Sequence, residues 1–412
     1  YGSFRLAKAG YHILVKRYPD LVDGEKKSIA GKLQQSYAQL LRATGDSEEA
    51  LALENKLDPN DLGKDGALSL TLNRMSQAYK DKKWDEVKTY AEQVVTALKD
   101  DEVGKTSGNY LQARMCIVEA YRNLKQNDEA IKAAEQVLAD GAIEGATQES
   151  AETRTTYDKQ LRFMLVALYY DNIRKSGVVD EENLSKILDG VKAYETKYPT
   201  TSPDDIVLPH IYYYAINSLL LRSSKDDFPA AQELCDKFIA SFKKHDYYPT
   251  ILILNANIII GTKDKPKFEI AIRQLEEACE ISLARPEGKG KGTAGEALNK
   301  LAINGRMIGL TKEDGSKEDD AAKNARWVGY MQTFWEKVDA GSETNRFALQ
   351  MARLDLSDAA KSGGDRLVAA VKRAEDIVVR EAAYAQSQNK LNPEIARTIT
   401  SIINTKVEKN EF

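Results

Sequence analysis

The chain has 412 residues, 42% of them hydrophobic and 30% charged, with a formal net charge of −4 from 59 basic and 63 acidic side chains. That length exceeds one compact core, so several domains or an elongated repeat array are expected, and the composition is that of a chain that folds. The balance of charge lacks the basic excess that nucleic acid or a polybasic membrane anchor needs, and no run approaches the roughly 18 apolar residues of a transmembrane helix.

Only 10 prolines interrupt the chain, which leaves room for many helices. A first helix over about 3–18 reads as the second half of a repeat, which implies a missing first half or an N-terminal cap. Residues 34–57 hold a turn at Gly45-Asp46, then Ser47-Glu48-Glu49-Ala50-Leu51, and 58–66 reads as a loop. Residues 68–96 carry Ala78-Tyr79, a lysine-rich turn, Trp84, then Val87, Ala91 and Val94 at helical spacing. The clearest segment is 109–141. Ile117, Val118 and Tyr121 mark one helix; Ala130, Ile131, Ala134, Val137 and Leu138 mark another, with Asn127-Asp128 as turn and cap.

A loop is expected at 142–150, then a long helix over about 152–175. Leu184, Ile187, Val191 and Tyr194 give a helix ending at Tyr198-Pro199, and Ser202-Pro203-Asp204-Asp205 reads as the next helix start. Phe228, Ala231, Cys235 and Ile239, then Phe268, Ala271, Leu275 and Cys279, repeat the earlier pattern, with a short turn at 263–266 between. The glycine- and lysine-rich stretch 286–292 is the main break in composition. Beyond it 312–320 reads as a solvated loop, and helices fit about 321–338, 343–361, 365–388 and 393–408, the last opened by Asn392-Pro393-Glu394. The expected division is a repeat array over 1–285 and a divergent helical region over 293–412. No strand pattern is found.

The hairpin of about 34 residues, with Ala78-Tyr79 and Trp84, Ala120-Tyr121 and Ala130, and Glu48-Glu49-Ala50, resembles the tetratricopeptide repeat family. The spacing is irregular, the pattern weakens over 228–279, and the family's Trp-Leu-Gly is absent. The resemblance implies an all-α, right-handed superhelical array of helix–turn–helix units, in which a small residue lets two helices cross closely and neighbouring hairpins cover one another's apolar stripes. Tyr18-Pro19, Tyr198-Pro199 and Tyr248-Pro249 look like helix endings in tetratricopeptide proteins of bacterial envelopes. They imply a periplasmic or outer-membrane-associated protein, with the cytoplasm as the alternative.

Chemistry is sparse. Cys116, Cys235 and Cys279 sit apart in helical patterns, which suits buried thiols rather than a disulfide framework or zinc site. His12, His210 and His245 lack ligand spacing, and no HExxH, GxSxG or Cys–His pattern occurs. His210, near a helix start, reads as a surface or packing residue. Gly288-Lys289-Gly290-Lys291-Gly292-Thr293 is out of register for a phosphate loop and reads as a flexible linker. Glu181-Glu182 and Asp319-Asp320 suit helix starts. No catalytic residue, metal or cofactor is therefore expected.

Twenty tyrosines are present, some in runs: Tyr169-Tyr170, Tyr212-Tyr213-Tyr214 and Tyr247-Tyr248. Successive helical residues turn by about 100°, so three in a row cannot all face a core, and Tyr212 and Tyr213 are candidates for a groove. In the tetratricopeptide family the first helix of each hairpin lines the concave face. By resemblance that gives Asn73 and Gln77 in one repeat, and Met115, Glu119 and Arg122 in the next, as partner-binding residues. The expected function is a non-catalytic scaffold for a protein or peptide partner, the alternative being an envelope glycan-binding or glycan-processing protein.

Overall fold

The computed structural model describes residues 2–17, 30–59, 62–199, 202–312, 314–339, 345–390 and 392–408. The fold is all-α, and the chain forms two compact units, Tyr1–Gly190 and Val191–Phe412.

The first unit holds α1 (Gly2–Arg17), α2 (Ala30–Thr44), α3 (Ser47–Glu54), α4 (Gly63–Lys80), α5 (Trp84–Leu98), α6 (Gly108–Asn123), α7 (Asn127–Ala139), the one-turn α8 (Ala142–Gly145) and α9 (Ala151–Ser176). α10 (Glu181–Lys197) spans the division between the units. Helices pack as successive hairpins: α2 on α3, α4 on α5, α5 on α6, α6 on α7 and α7 on α9. Amphipathic stripes explain the pairing. On α5, Val87, Ala91, Val94 and Leu98 are buried while Asp85 and Glu86 favour the helix start. Ala50, Val87 and Ala130 are fully buried at corresponding places in the second helices. Each fully buried valine contributes roughly 1.5–3 kcal/mol.

Several hairpins turn in one way. The residue after the first helix takes a left-handed conformation: Gly45 at φ 92°, Lys82 at 57°, Lys125 at 64° and, in the second unit, Lys263 at 57°. Beside it the backbone makes a paired closure: Lys83 N to Ala78 O at 2.9 Å with Lys82 N to Tyr79 O at 3.1 Å, and Gln126 N to Tyr121 O at 2.9 Å with Lys125 N to Arg122 O at 3.1 Å. These are Schellman motifs, which satisfy the last carbonyls of a helix and favour glycine at the left-handed position. Here lysine holds it three times.

The second unit holds α11 (Leu208–Arg222), α12 (Phe228–Ser241), α13 (Tyr248–Gly261), α14 (Phe268–Leu283), α15 (Lys291–Asn304), α16 (Asp320–Thr333), α17 (Ala348–Ser362), α18 (Gly364–Ser387) and α19 (Pro393–Glu408). α13 is apolar nearly all round and correspondingly buried, with Ile251, Leu252, Ile253, Ala256, Ile258 and Ile259 in the core. Its polar interruption, Asn255, is buried and donates to Asp236 Oδ1 at 3.1 Å. Phe334–Val338 continues α16 as a π-helical turn, with Phe334 and Val338 buried. The buried Asp355 and Asp358 of α17 are met by Arg306, Arg366 and Arg373.

Several expectations need correction. The loop over 58–66 is shorter, since α4 begins at Gly63, and 142–150 contains α8. Asn127 does not cap α7. It is the first helical residue, buried, and donates to Asn172 Oδ1 at 2.9 Å. Ser202 does not start a helix either. α11 begins at Leu208 with Pro209 in its first turn, and Asp205 Oδ1 accepts from Val207 N at 2.8 Å and Leu208 N at 3.0 Å.

Tyr248-Pro249 opens α13 rather than closing a helix; Tyr198 follows the end of α10, and Tyr18-Pro19 lies outside the described residues. Residues 288–293, expected as a flexible linker, hold instead the end of a 3-10 turn (Pro286–Gly288) and the start of α15, which packs on α14 inside the second unit and itself escaped the sequence reading. The compact units divide at 190/191, and the composition break at 286–292 lies within the second of them.

The described residues of 312–320 are exposed, as expected of a solvated loop, apart from the half-buried Glu318, and the segment is also anchored to α14. Thr311 and Lys317 form an isolated antiparallel bridge. Glu269 of α14 accepts from Thr311 N at 2.9 Å, Thr311 Oγ1 at 2.7 Å and Lys317 Nζ at 2.7 Å. The helix starts at Asp319, whose side chain accepts from Ala322 N at 2.7 Å, and at Pro393, where Asn392 Oδ1 accepts from Glu394 N at 3.1 Å, are as expected. The helix start expected near 343 lies outside the described residues.

Candidate functional site

α4, α6 and α9 contribute side chains to a cavity of about 470 Å³. Its apolar lining comes from Met75 of α4, Met115 of α6, and Phe163 and Met164 of α9. All three methionines are buried, and their unbranched thioethers can reshape to fit different apolar side chains. At the polar edge stand Tyr79 and Glu119, joined by a hydrogen bond from Tyr79 Oη to Glu119 Oε2 at 2.7 Å. Tyr79 is held edge-on against Trp84, with ring centroids 5.4 Å apart. Burial and the adjacent Glu119 carboxylate raise its phenol well above the usual range.

Cys116 also lines this cavity, but burial, helped by Glu119, pushes its thiol up to about 11. It is therefore neutral at physiological pH and a poor nucleophile. Cys235 and Cys279 are buried and free as well, so all three match the packing role expected of them. Among the described residues, no group of three or more histidine, cysteine, aspartate or glutamate side chains is placed to hold a metal.

Glu119 belongs also to a second, more polar recess of about 570 Å³. Arg122 and Lys125 line it from the end of α6 and the turn that follows, and Asp171, Arg174 and Lys175 from the last turns of α9. In the second unit, a cavity of about 380 Å³ between α16, α17 and α18 is lined by Trp335, Asp355, Arg366 and Arg373. Its charges are already spent on one another, with Arg373 Nη1 2.6 Å from Asp355 Oδ2 and Arg366 paired to Asp355 and Asp358.

Of the residues expected from repeat register, Met115 and Glu119 line the first cavity, and Glu119 and Arg122 the recess. Asn73 and Gln77 line neither. Asn73 Nδ2 donates to Glu54 Oε1 at 3.0 Å, inside a network where Arg42 pairs with the fully buried Glu54, and Gln77 Nε2 reaches Asp81 Oδ1 at 3.0 Å on its own helix. The face of α4 that lines the cavity carries Met75 and Tyr79 instead, two residues further along each time.

Tyr212 is buried and donates to Glu195 Oε1 at 2.7 Å, so it is a core residue and not a groove residue. Tyr213 is half-buried and stacks on Tyr247, with centroids 4.2 Å apart. Sequence reasoning missed Phe163, Met164, Arg174 and Lys175 because α9 lacks the repeat phrase. Met75 and Tyr79 were within reach, since they lie about one helical turn apart on α4, a helix that the repeat pattern had already singled out.

No family model matches the chain, and no curated protein matches it in sequence. Among solved structures, the apo form of the quorum sensor NprR from B. thuringiensis is similar at a TM-score of 0.39 and 13% identity, covering 97% of this chain and 93% of that one. The Naa15/Naa10 assembly bound to HypK-THB follows at a TM-score of 0.23 and 14% identity, with 99% of this chain and 64% of that one covered. Those values say nothing of this chain's chemistry. Its tetratricopeptide-like, helical-repeat character rests on its own serial hairpins.

Proposed function

We propose that the chain is a non-catalytic scaffold that holds a segment of a protein or peptide partner, with an apolar side chain of that segment seated in the cavity of α4, α6 and α9. The observation that carries this reading is the buried trio Met75, Met115 and Met164 facing one cavity beside a polar edge. An apolar pocket with a few placed polar groups is the usual form of a recognition site, and methionine lining suits a range of anchors. A glycan reading calls for exposed aromatic platforms. Trp327 is buried, and Trp84 and Trp335 are half-buried against hydrophobic clusters.

Selection of binders from a random-peptide display library tests the proposal. The enriched peptides should share a bulky apolar residue and lose binding to the Met115→Gln and Met164→Gln variants. Binding should survive Val103→Gln, which changes an exposed residue outside the cavity. No enrichment, or peptides indifferent to both cavity variants, would sink it.

A further inference from the structure

The recess beside the cavity gathers four cations. Of the unit's other arginines, Arg42 pairs with Glu54, Arg114 with Asp140 at 2.9 Å and Arg162 with Asp158 at 2.7 Å, while Arg74 donates to the backbone oxygens of Glu54 and Leu57. Arg122, Lys125, Arg174 and Lys175 line one recess, and none has an ion pair or side-chain hydrogen bond with any described residue. Only Glu119 and Asp171 oppose them there, and one oxygen of Glu119 is taken by Tyr79. Four cations against two carboxylates leave two positive charges.

Lys125, on the rim of the recess, occupies the left-handed position of a Schellman motif at φ 64°, as Lys82 and Lys263 do in their own turns, where glycine or asparagine fits with less strain.

We propose that this recess binds a dianionic phosphoryl group, namely the phosphorylated side chain of the segment whose apolar residue fills the adjoining cavity. This rests on the scaffold reading above. Charge decides for a phosphoryl group over a carboxylate. A phosphate monoester carries close to two negative charges at neutral pH, matching the surplus, whereas one carboxylate leaves the recess cationic. The donor set agrees, since two guanidinium forks and two ammonium groups suit three phosphoryl oxygens. Glu119 lines both spaces, so one short segment can reach both.

The test is calorimetric titration of the full chain at neutral pH with N-acetyl-phosphoserine amide, N-acetyl-aspartate amide and inorganic phosphate. The phosphoserine amide should bind with one-to-one stoichiometry and more tightly than the aspartate amide by roughly tenfold or more. It should also bind at least as tightly as inorganic phosphate. Arg122→Ala with Arg174→Ala should abolish that preference. Lys125→Gly should weaken phosphoserine binding about twofold to fivefold while raising the melting temperature, a pairing that a merely structural lysine cannot produce.

Equal binding of the phosphoserine and aspartate amides, no binding, or binding unchanged in the double variant would each overturn the proposal. Inorganic phosphate binding more tightly than the phosphoserine amide would overturn the side-chain source. Val103→Gln, outside both the cavity and the recess, should leave phosphoserine binding intact. A failed peptide selection with intact phosphoserine binding removes the scaffold reading alone, and the converse removes only the phosphoryl site.

Discussion

Tyr79 and Glu119, 40 residues apart in sequence, meet at 2.7 Å, phenol to carboxylate, where the first helices of two neighbouring hairpins face one cavity. The bond ties α4 to α6 at the edge of the candidate site. Tyr79→Phe should cost about 0.5–1.5 kcal/mol, toward the low end because Tyr79 is 37% exposed and water can replace the lost donor. Urea denaturation of the two proteins measures it. No change in the midpoint would show that the bond contributes nothing.

The left-handed lysines are a cheap route to stability. Lys82→Gly, Lys125→Gly and Lys263→Gly remove a Cβ from a conformation that costs an L-residue roughly 1–2 kcal/mol, and glycine's greater freedom in the unfolded chain takes back part of that. A gain of about 0.5–1 kcal/mol is expected at each site, read as a rise in melting temperature. The same change at Lys125 removes one of the recess cations, so stability and ligand affinity should move in opposite directions there.

Two glycines should respond very differently to alanine. A Cβ on Gly290 would lie 1.8 Å from the backbone oxygen of Ser282, at the tight approach of α14 and α15. Neither backbone can yield without parting the helices, so Gly290→Ala should destabilise by roughly 3 kcal/mol or more. A Cβ on Gly108 would meet only the far end of the Glu149 side chain, at 1.7 Å, and that side chain can swing away. Gly108→Ala should shift the denaturation midpoint far less.

Glu269 makes the attachment of 311–317 to α14 sensitive to acid. Its hydrogen bonds from Lys317 and Thr311 lower its carboxyl from the ordinary 4.5 to about 2. A depressed carboxylate contributes stability that is complete above its unfolded value and fades as pH falls through the folded one. The 311–317 segment should therefore loosen between about pH 4.5 and pH 2. Hydrogen exchange of the Thr311 and Lys312 amides across that window reads it, and in Glu269→Gln their protection should be weaker at neutral pH and nearly flat with acid.

His210 and His245 give the second unit a milder acid response. Their rings meet edge-to-face at 5.2 Å, and both also contact the Tyr247 ring. Burial lowers the pKa of both. At His245 the neighbouring His210 lowers it further and Asp246 opposes. Because the folded rings resist protonation more than unfolded ones, stability is complete above the unfolded value of 6.5 and declines as pH drops below it. His210→Phe should keep the edge-to-face packing and flatten the fall in melting temperature between pH 7.5 and 5.5. An unchanged slope would exclude His210 from that response.

How far the sequence carried can be read from particular helices. The stripe Val87–Ala91–Val94 needed only its 3.6-residue period to be recognised, and the whole stripe is buried; so too Leu184, Ile187, Val191 and Tyr194. α15 was missed because glycines and lysines crowd its start, where packing on α14 and other helices, rather than local sequence, stabilises a helix. Tyr212 was misplaced because periodicity shows that three adjacent tyrosines must diverge but not which of them faces Glu195.

What the sequence determined by itself is the set of local decisions: helices rather than strands, where most hairpins turn, which stripe of each helix is apolar, and that the cysteines are small core residues. Backbone period and side-chain size act over a few residues, so a few residues suffice to read them. Only the tertiary structure decided which side chains share a space. It joined Met75, Met115 and Met164 around one cavity, brought Arg122, Lys125, Arg174 and Lys175 to one recess with no ion pair to any described residue, and turned Asn73 toward Glu54. A shift of two residues along α4 separates Asn73 and Gln77 from Met75 and Tyr79. At about 100° per residue, that shift carries a side chain most of the way to the opposite face of the helix, and only the packing of neighbouring helices selects the face that lines a site.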